Sequence, residues 1–406
     1  MFENLIKQDA GKLISSDIRA GKFPGAVLFA GPQFSGKLTA ALETARVLSC
    51  QNEKKGAWSC ECNSCLQNKA LTSQNLLLLG PRDCLLEIYS AKKYFLQALK
   101  TSAPYILAAR YFYIRSVRKL TLRFNSILWK GDSSLNKISA IIEELNEEIE
   151  KIDLSRQLNN IEEIEKSCEK IDDFCKKLDN ELYNSIPVSQ IRNMEEWAYI
   201  KSENGKKTII LENAEKMQAS VRNALLKILE EPPSDCIFIL LTNNRNAVMQ
   251  TILSRVRTYN FSDRSIEEQK DVISRILHTD YSGSIKDYLL TFLPVKPEVL
   301  QAQAQYFIKE IASKNIPDIS QLVKKCENFI PRVELKLFLN FIALEIKNLQ
   351  KNQPGCEAIA QAMTFLQKCY DNVTLYNLTP LSSLEILLRD LSMINIQNNG
   401  VFSAIL

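Results

Sequence analysis

Four cysteines fall within sixteen residues: Cys50, Cys60, Cys62 and Cys65. Four thiolates complete a tetrahedral Zn²⁺ site with bonds of about 2.3 Å and leave no position for a reactive water. The expected metal is therefore a structural zinc. The polar neighbours Glu61, Asn63 and Ser64 argue against a chance group of core thiols, although the Cys-x-Cys step is tighter than the commoner Cys-x2-Cys. Just upstream runs Gly31-Pro32-Gln33-Phe34-Ser35-Gly36-Lys37-Leu38-Thr39. Glycines at the first and sixth positions let backbone N–H groups turn inward, and the lysine adds a full charge, so the segment reads as a phosphate-binding loop. The usual loop follows its lysine with Ser or Thr, whose hydroxyl holds Mg²⁺. Here Leu38 stands in that place, and Thr39 lies about 100° further round the helix.

Two further segments could act with the loop. Thr208-Ile209-Ile210-Leu211-Glu212-Asn213 is an apolar strand ending in a carboxylate, the usual source of a metal-orienting acid. Active ATPases present two acids there, the second positioning the attacking water. Asn213 cannot accept a proton, so a base is missing unless Glu215 replaces it. Thr251-Ile252-Leu253-Ser254-Arg255 follows another apolar run and the polar Thr242-Asn243-Asn244. An arginine so placed can stabilise a phosphate bound by a neighbouring subunit, or simply form a surface ion pair.

The elements that must position these groups are legible. Ala26–Ala30, Thr208–Leu211 and Ile237–Leu241 are continuous apolar runs, as in strands buried on both faces of a parallel sheet. Helical spacing is expected over Asn4–Ala20, Leu38–Ser49 and Ala219–Leu229. From residue 265 onward the chain reads as all-helical. Residues 84–185 form a helical insertion of split charge. Its 85–131 half carries nine Lys/Arg and one acid; its 133–185 half carries fourteen acids and seven bases. Ile138, Ile142, Leu145, Ile149 and Ile152, then Leu158, Ile161, Ile164, Cys168, Ile171, Cys175, Leu178 and Leu182, follow a coiled-coil rhythm. The break at Asp153–Ser155 predicts an antiparallel hairpin. In the basic half, Lys92, Lys93, Arg110, Arg115, Arg118, Lys119 and Arg123 interleave with Tyr111, Phe112, Tyr113 and Phe124. That pattern suits nucleic acid, or else pairing with the acidic hairpin around a shared aromatic core; the second reading is favoured.

Composition narrows the class. The 406 residues have a net charge of +4, which neither demands nor excludes a nucleic-acid partner. A single histidine, His278, excludes a His-rich metal centre. No apolar run is long enough to span a membrane, and the N-terminus does not resemble a secretory signal. The expected compartment is the cytoplasm, where eleven cysteines need a purpose other than disulfides.

Together the segments resemble the bacterial DNA polymerase III clamp-loader family, within the AAA+ ATPases. Phe23–Pro32 is similar to the family's approach to the phosphate loop. Asn223-Ala224-Leu225-Leu226-Lys227-Ile228-Leu229-Glu230-Glu231-Pro232-Pro233 nearly repeats its most distinctive string, and Thr251–Arg255 matches its Ser-Arg-Cys finger with Val256 in the Cys position. The resemblance implies an α/β AAA+ P-loop domain over 1–262, with a zinc module at about 50–65 and the insertion at about 84–185. A helical lid over 263–294 and a helical collar over 295–406 follow. It implies nucleotide-binding positions at Gly31, Gly36, Lys37, Thr39, Glu212, Asn243 and Lys286, the last where a second sensor arginine is usual. It places Arg255 as a finger acting in trans, and zinc on the four cysteines.

The implied partners are gamma/tau-type and delta-type subunits in a ring, the sliding clamp, and primer–template DNA reached through the complex. Leu38 and Asn213 beside an intact Ser254-Arg255 match the family's non-hydrolysing branch, so Mg²⁺·ATP turnover is not expected of this chain. The alternatives are an active gamma/tau-like motor, rescued by Thr39 and Glu212 or Glu215, and a coiled-coil interaction protein reusing an inactive AAA+ module.

Overall fold

Five short strands form one parallel sheet in the order β2-β3-β4-β1-β5: β1 Ala26–Ala30, β2 Leu76–Leu79, β3 Lys207–Leu211, β4 Cys236–Thr242 and β5 Arg257–Asn260. Ala26 lies opposite Phe238, Thr208 opposite Leu76, and Val27 opposite Arg257. Every residue of β1 to β4 is buried, as strands covered on both faces require. The three expected strands are present. β2 and β5 went unanticipated: β2 is only four leucines long, and β5 is a polar edge strand with Tyr259 alone buried.

The computed structural model describes residues 1–53, 55–158, 160–202, 205–329, 332–352, 357–374, 376, 378–398 and 400–403. They divide into two compact units, Met1–Tyr288 and Leu289–Leu406. The first holds the sheet with α1 (Asp9–Arg19), α2 (Lys37–Ser49), α3 (Asn63–Ala70), α4 (Leu85–Lys100), α5 (Ile106–Thr121), α6 (Leu135–Lys151), α7 (Ile161–Glu181), α8 (Val188–Tyr199), α9 (Ala219–Glu230), α10 (Gln250–Leu253) and α11 (Ile266–Leu277). Helix α12 (Ile285–Leu290) straddles the division. The second unit holds α13 (Pro297–Ala312), α14 (Ile319–Lys325), α15 (Arg332–Asn352), α16 (Glu357–Thr374) and α17 (Pro380–Gln397). Helix α1 starts later than its apolar spacing suggests. Lys7 has φ +53° and Gln8 is extended, which keeps residues 4–8 out of the helix.

The insertion between β2 and β3 is α4 to α7, with a 3₁₀ turn at Leu122–Phe124. Helices α6 and α7 pair antiparallel: Lys137 meets Glu181, and Lys170 meets Glu148. Ile138, Leu145 and Ile149 are buried on α6, and Cys168, Ile171, Cys175 and Leu178 on α7. Asn160 caps α7 by accepting the N–H groups of Glu162 and Glu163.

The basic half is largely consumed inside the first unit. Lys92 pairs with Asp172 and Lys100 with Glu165 across to the hairpin. Arg110 donates to the carbonyls of Asp153 and Arg156. Arg115 and Arg118 instead donate to the carbonyls that end α3, at Asn68, Lys69 and Ala70. Tyr113 stacks on Phe95, and Phe124 on Trp129. The favoured reading thus holds for Tyr113, which reaches the Cys168 carbonyl, for Phe124, which joins Tyr183 through Trp129, and for part of the charge, while Tyr111, Arg115 and Arg118 serve α3.

Ile171, fully buried in the hairpin, tests this packing against Ile161, which is 41% exposed. Ile171→Ala is expected to cost about 2–5 kcal/mol of stability in urea denaturation, and Ile161→Ala under about 0.5 kcal/mol. Equal losses would contradict the buried seam.

Candidate functional site

Open parallel sheets place ligands at the carboxyl ends of their strands. The chemistry-bearing residues of this chain collect there. The loop Gly31–Lys37 leaves β1 and feeds α2. A Cβ on Gly31 would sit 2.3 Å from the Phe261 carbonyl oxygen, so no side chain fits. Gly36 caps α2 at φ +92°, with no side-chain cap bond, leaving the first N–H groups of the helix directed into the loop. Lys37 is buried and curls back over its own loop. Its ammonium donates to the carbonyls of Gly31 (2.6 Å) and Pro32 and to Ser35 Oγ (3.3 Å). Burial, then the charge of Arg82, brings Lys37 down to about 8, against the opposing pull of Glu215 and Glu212. Leu38 points into the core, and Thr39 is exposed. Arg264 closes the loop from outside. Its guanidinium donates to the carbonyls of Phe34 (2.6 Å) and Ile6 (2.8 Å), and its own carbonyl accepts from Gln269.

Glu212 ends β3 and is 7% exposed. Its two carboxylate oxygens accept from different arginines, Oε1 from Arg82 (3.0 Å) and Oε2 from Arg123. Burial alone would raise its pKa. The guanidiniums of Arg123 and Arg82 overcome that and hold it below the ordinary carboxylate range. Arg123 also donates to the Gly80 carbonyl (2.6 Å), and Arg82 to Glu87, which pairs in turn with Lys119. Asn213 takes the left-handed conformation, φ +55°, and donates to the Pro81 carbonyl (2.6 Å). Glu215 is held at the end of β4: it accepts from Thr242 Oγ1 (2.8 Å) and from the backbone and side-chain nitrogens of Asn243.

These residues do not fit a Mg²⁺ site. The hydroxyl is replaced by Leu38, and each oxygen of the carboxylate already accepts from a guanidinium. Lys286 is exposed on α12 and makes no bond to the phosphate loop among the described residues. Arg255 lies apart from the loop, past α10, and its guanidinium is satisfied locally. It donates to Glu230 Oε2 (3.0 Å), the Thr251 carbonyl (2.9 Å) and Ser254 Oγ (3.4 Å).

The four cysteines converge. Their sulfurs all lie within 4.8 Å of one another, with 3.7 Å between Cys50 and Cys60. Cys50 ends α2, and Cys62 and Cys65 begin α3. The cluster can hold a metal ion. Burial raises the cost of ionising Cys50, Cys62 and Cys65. At Cys62 the backbone N–H groups of Gln51 and Cys65 outweigh it and bring the pKa to about 6, whereas burial and the neighbouring sulfurs push Cys65 up. Four thiols this close cannot all ionise without a cation among them. Buried Arg46 supports the group, donating to Cys65 Sγ (3.3 Å) and to Glu43 (2.6 Å). Arg46, Arg82, Arg123 and Arg264 were not singled out as site residues from sequence. The contacts that define Arg82 and Arg123 here are to Glu212, 130 and 89 residues away, and no local pattern announces them.

A parallel sheet of this order, with a phosphate loop after its first strand and a polar Thr-Asn at the end of β4, defines an AAA+ P-loop module. The chain belongs to the family described as DNA polymerase III, delta subunit, whose family model matches residues 6–130 and 126–265. Among curated relatives, DNA polymerase III subunit delta' of Buchnera aphidicola is 29% identical over 211 residues, 48% of this chain and 63% of that protein. Subunit delta' of Bacillus subtilis is 34% identical over 99 residues, 24% of this chain and 29% of its own. Subunit tau of Bacillus subtilis is 42% identical over 55 residues, 14% of this chain and 10% of its own. The chain thus spans less than two thirds of each of these relatives. A solved gamma-subunit-related protein from Thermotoga maritima is 19% identical and covers 51% of this chain and 79% of its own, at a TM-score of 0.28, too low to bear on fold or function.

Two measurements test the site. Cys60→Ser is expected to lose the bound metal and to speed amide exchange through α3; stoichiometric metal retained by the variant would contradict a four-thiolate site. For Lys37, the unfolded chain keeps the ordinary pKa of 10.5, so between pH 8 and 10.5 it holds more protons than the folded chain. Stability from this group therefore rises with pH across that window and is flat below it. Lys37→Met should remove the rise in urea midpoints, and parallel profiles would show that Lys37 is not depressed.

Proposed function

We propose that this chain is a delta-prime-type subunit of a DNA polymerase III clamp loader, a stator that does not hydrolyse ATP itself and lends Arg255 to a neighbouring ATPase subunit. One observation carries the reading. Leu38 stands where the Mg²⁺-binding hydroxyl is usual and Asn213 where the second acid is usual, while Ser254-Arg255 follows α10. Hydrolysis in such rings takes the loop from one subunit and the arginine from the next, so a subunit can contribute the second without the first. Arg255 would exchange Glu230 for the neighbour's γ-phosphate, where its charge neutralises the oxygens of the transition state. Structural zinc on Cys50, Cys60, Cys62 and Cys65 would fix the join of α2 and α3. The partners are gamma/tau-type and delta-type subunits, the sliding clamp, and primer–template DNA reached through the assembly, in the cytoplasm. Residues 263–294 act as the lid and 295–406 as the collar that holds the ring. Gly31, Gly36, Lys37, Thr39, Glu212, Asn243 and Lys286 are the remnant of a nucleotide site.

Turnover in a reconstituted ring tests the assignment. Arg255→Ala is expected to slow ATP hydrolysis by about 10³-fold at the interface it serves, as loss of an arginine finger does elsewhere, without unfolding the chain. Lys37→Ala in this subunit should leave the rate unchanged. A large loss from Lys37→Ala would identify an active gamma/tau-like motor instead, and an unaffected rate with Arg255→Ala would remove the finger.

A further inference from the structure

We infer that Arg82 and Arg123 form an internal replacement for a divalent cation. They neutralise Glu212, dock both stems of the α4–α5 hairpin on the sheet, and bar Mg²⁺ from the phosphate loop. The inference deepens the non-hydrolysing reading above by naming what closes the site.

The geometry is specific. Arg82 lies just before α4 and Arg123 just after α5, so the two arginines mark where the hairpin leaves and rejoins the sheet. Each takes a different oxygen of Glu212, so a metal approaching either oxygen must share it with a guanidinium or displace one. A second carboxylate ties the stems to each other: Glu87 in the first turn of α4 pairs with Arg82 and with Lys119 in the last turn of α5. Burial would raise Glu87, but Lys119 and Arg82 bring it down to about 2. Arg123 is itself fixed through Gly80, at the end of β2, so the clamp also ties the β2 end to the β3 end.

Charge explains the exclusion. Arg82, Arg123, Lys119 and Lys37 face Glu212, Glu87 and Glu215, four cations against three carboxylates. A divalent ion at Glu212 would sit against the guanidiniums of Arg82 and Arg123, whose charges repel it and whose hydrogen bonds to both oxygens it must share or displace. Displacing Arg82 would leave it Glu87 alone, displacing Arg123 would leave its buried guanidinium only the Gly80 carbonyl, and either would loosen a hairpin stem.

The test uses the full chain with its own metal. Hydrogen exchange is read for wild type, Glu212→Gln and the milder Arg82→Gln, and ATP affinity of the wild type is measured with Mg²⁺ and with Mg²⁺ omitted. The expected result is amide exchange faster by about tenfold or more across residues 85–123 in the variants, with α13 to α17 unchanged. ATP should bind equally with and without Mg²⁺, or not at all. Unchanged exchange over 85–123 in both variants overturns the docking role. Tightening of ATP by Mg²⁺ of about tenfold or more overturns the exclusion. If Glu212→Gln fails to fold, Arg82→Gln, whose residue is half-buried, decides the first point alone. Neither measurement involves a neighbouring subunit, so a failed ring assay and a failed clamp are separable.

Discussion

A carboxylate buried at the end of a covered parallel strand must be paired, because an unpaired buried charge costs several kcal/mol. Glu212 sits under that constraint. A metal ion is one way to meet it, and two guanidiniums are another. This chain uses the second, and much of the first unit follows from the choice. Arg123 can reach Glu212 only if the 3₁₀ turn after α5 lies against the ends of β2 and β3. Arg82 can reach it only if the segment leaving β2 turns back at once. The hairpin between them is then held at both ends, and α7 lies across α4 and α5 with its own ion pair from Asp172 to Lys92.

Helix α2 carries the same rigidity in the other direction. Its thirteen residues span about 20 Å, with Lys37 opening the helix and Cys50 closing it. Eleven of the thirteen are buried. A surface helix can shift on its apolar face; one covered on nearly all sides cannot move without opening the core. The loop at one end is closed by Arg264 and Ile6, and the cysteine group at the other is braced by Arg46 and Glu43, whose carboxylate also accepts the backbone N–H of Phe2 (3.3 Å).

How much of this was legible followed the range of the interactions. Apolar runs of five or more announced β1 and β4, and glycine spacing announced the loop. The four cysteines were visible because their spacing is local, and Leu38 and Asn213 because they occupy positions where chemistry needs another residue. Strand β5 was not visible, since an edge strand of Arg-Thr-Tyr-Asn carries no continuous apolar signal. The clamp was not visible either. Arg123 lies in a run of basic residues that all read alike, and what separates it from Lys130, which is exposed and pairs with Glu196, is only where the fold carries it. Glu212 reads in the sequence as a strand-end acid that would orient a metal, but the counter-charge it meets in the fold comes from Arg82 and Arg123, which no local pattern connects to it.

Two arginines of identical chemistry are held in opposite ways, and burial separates them. Arg123 has 1% of its side chain exposed, and breaking its pair strands two buried charges. Arg255 has 28% exposed against a Glu230 that is 60% exposed. An ion pair that open is worth about 0–1 kcal/mol, so it can be exchanged for a phosphate at little cost. The buried pair of Arg123 cannot be exchanged on those terms. The chain holds one guanidinium locked against the sheet and another lightly held at the surface. The sequence supplies them from the same residue type, 132 positions apart, and only the depth at which each lands decides which is which.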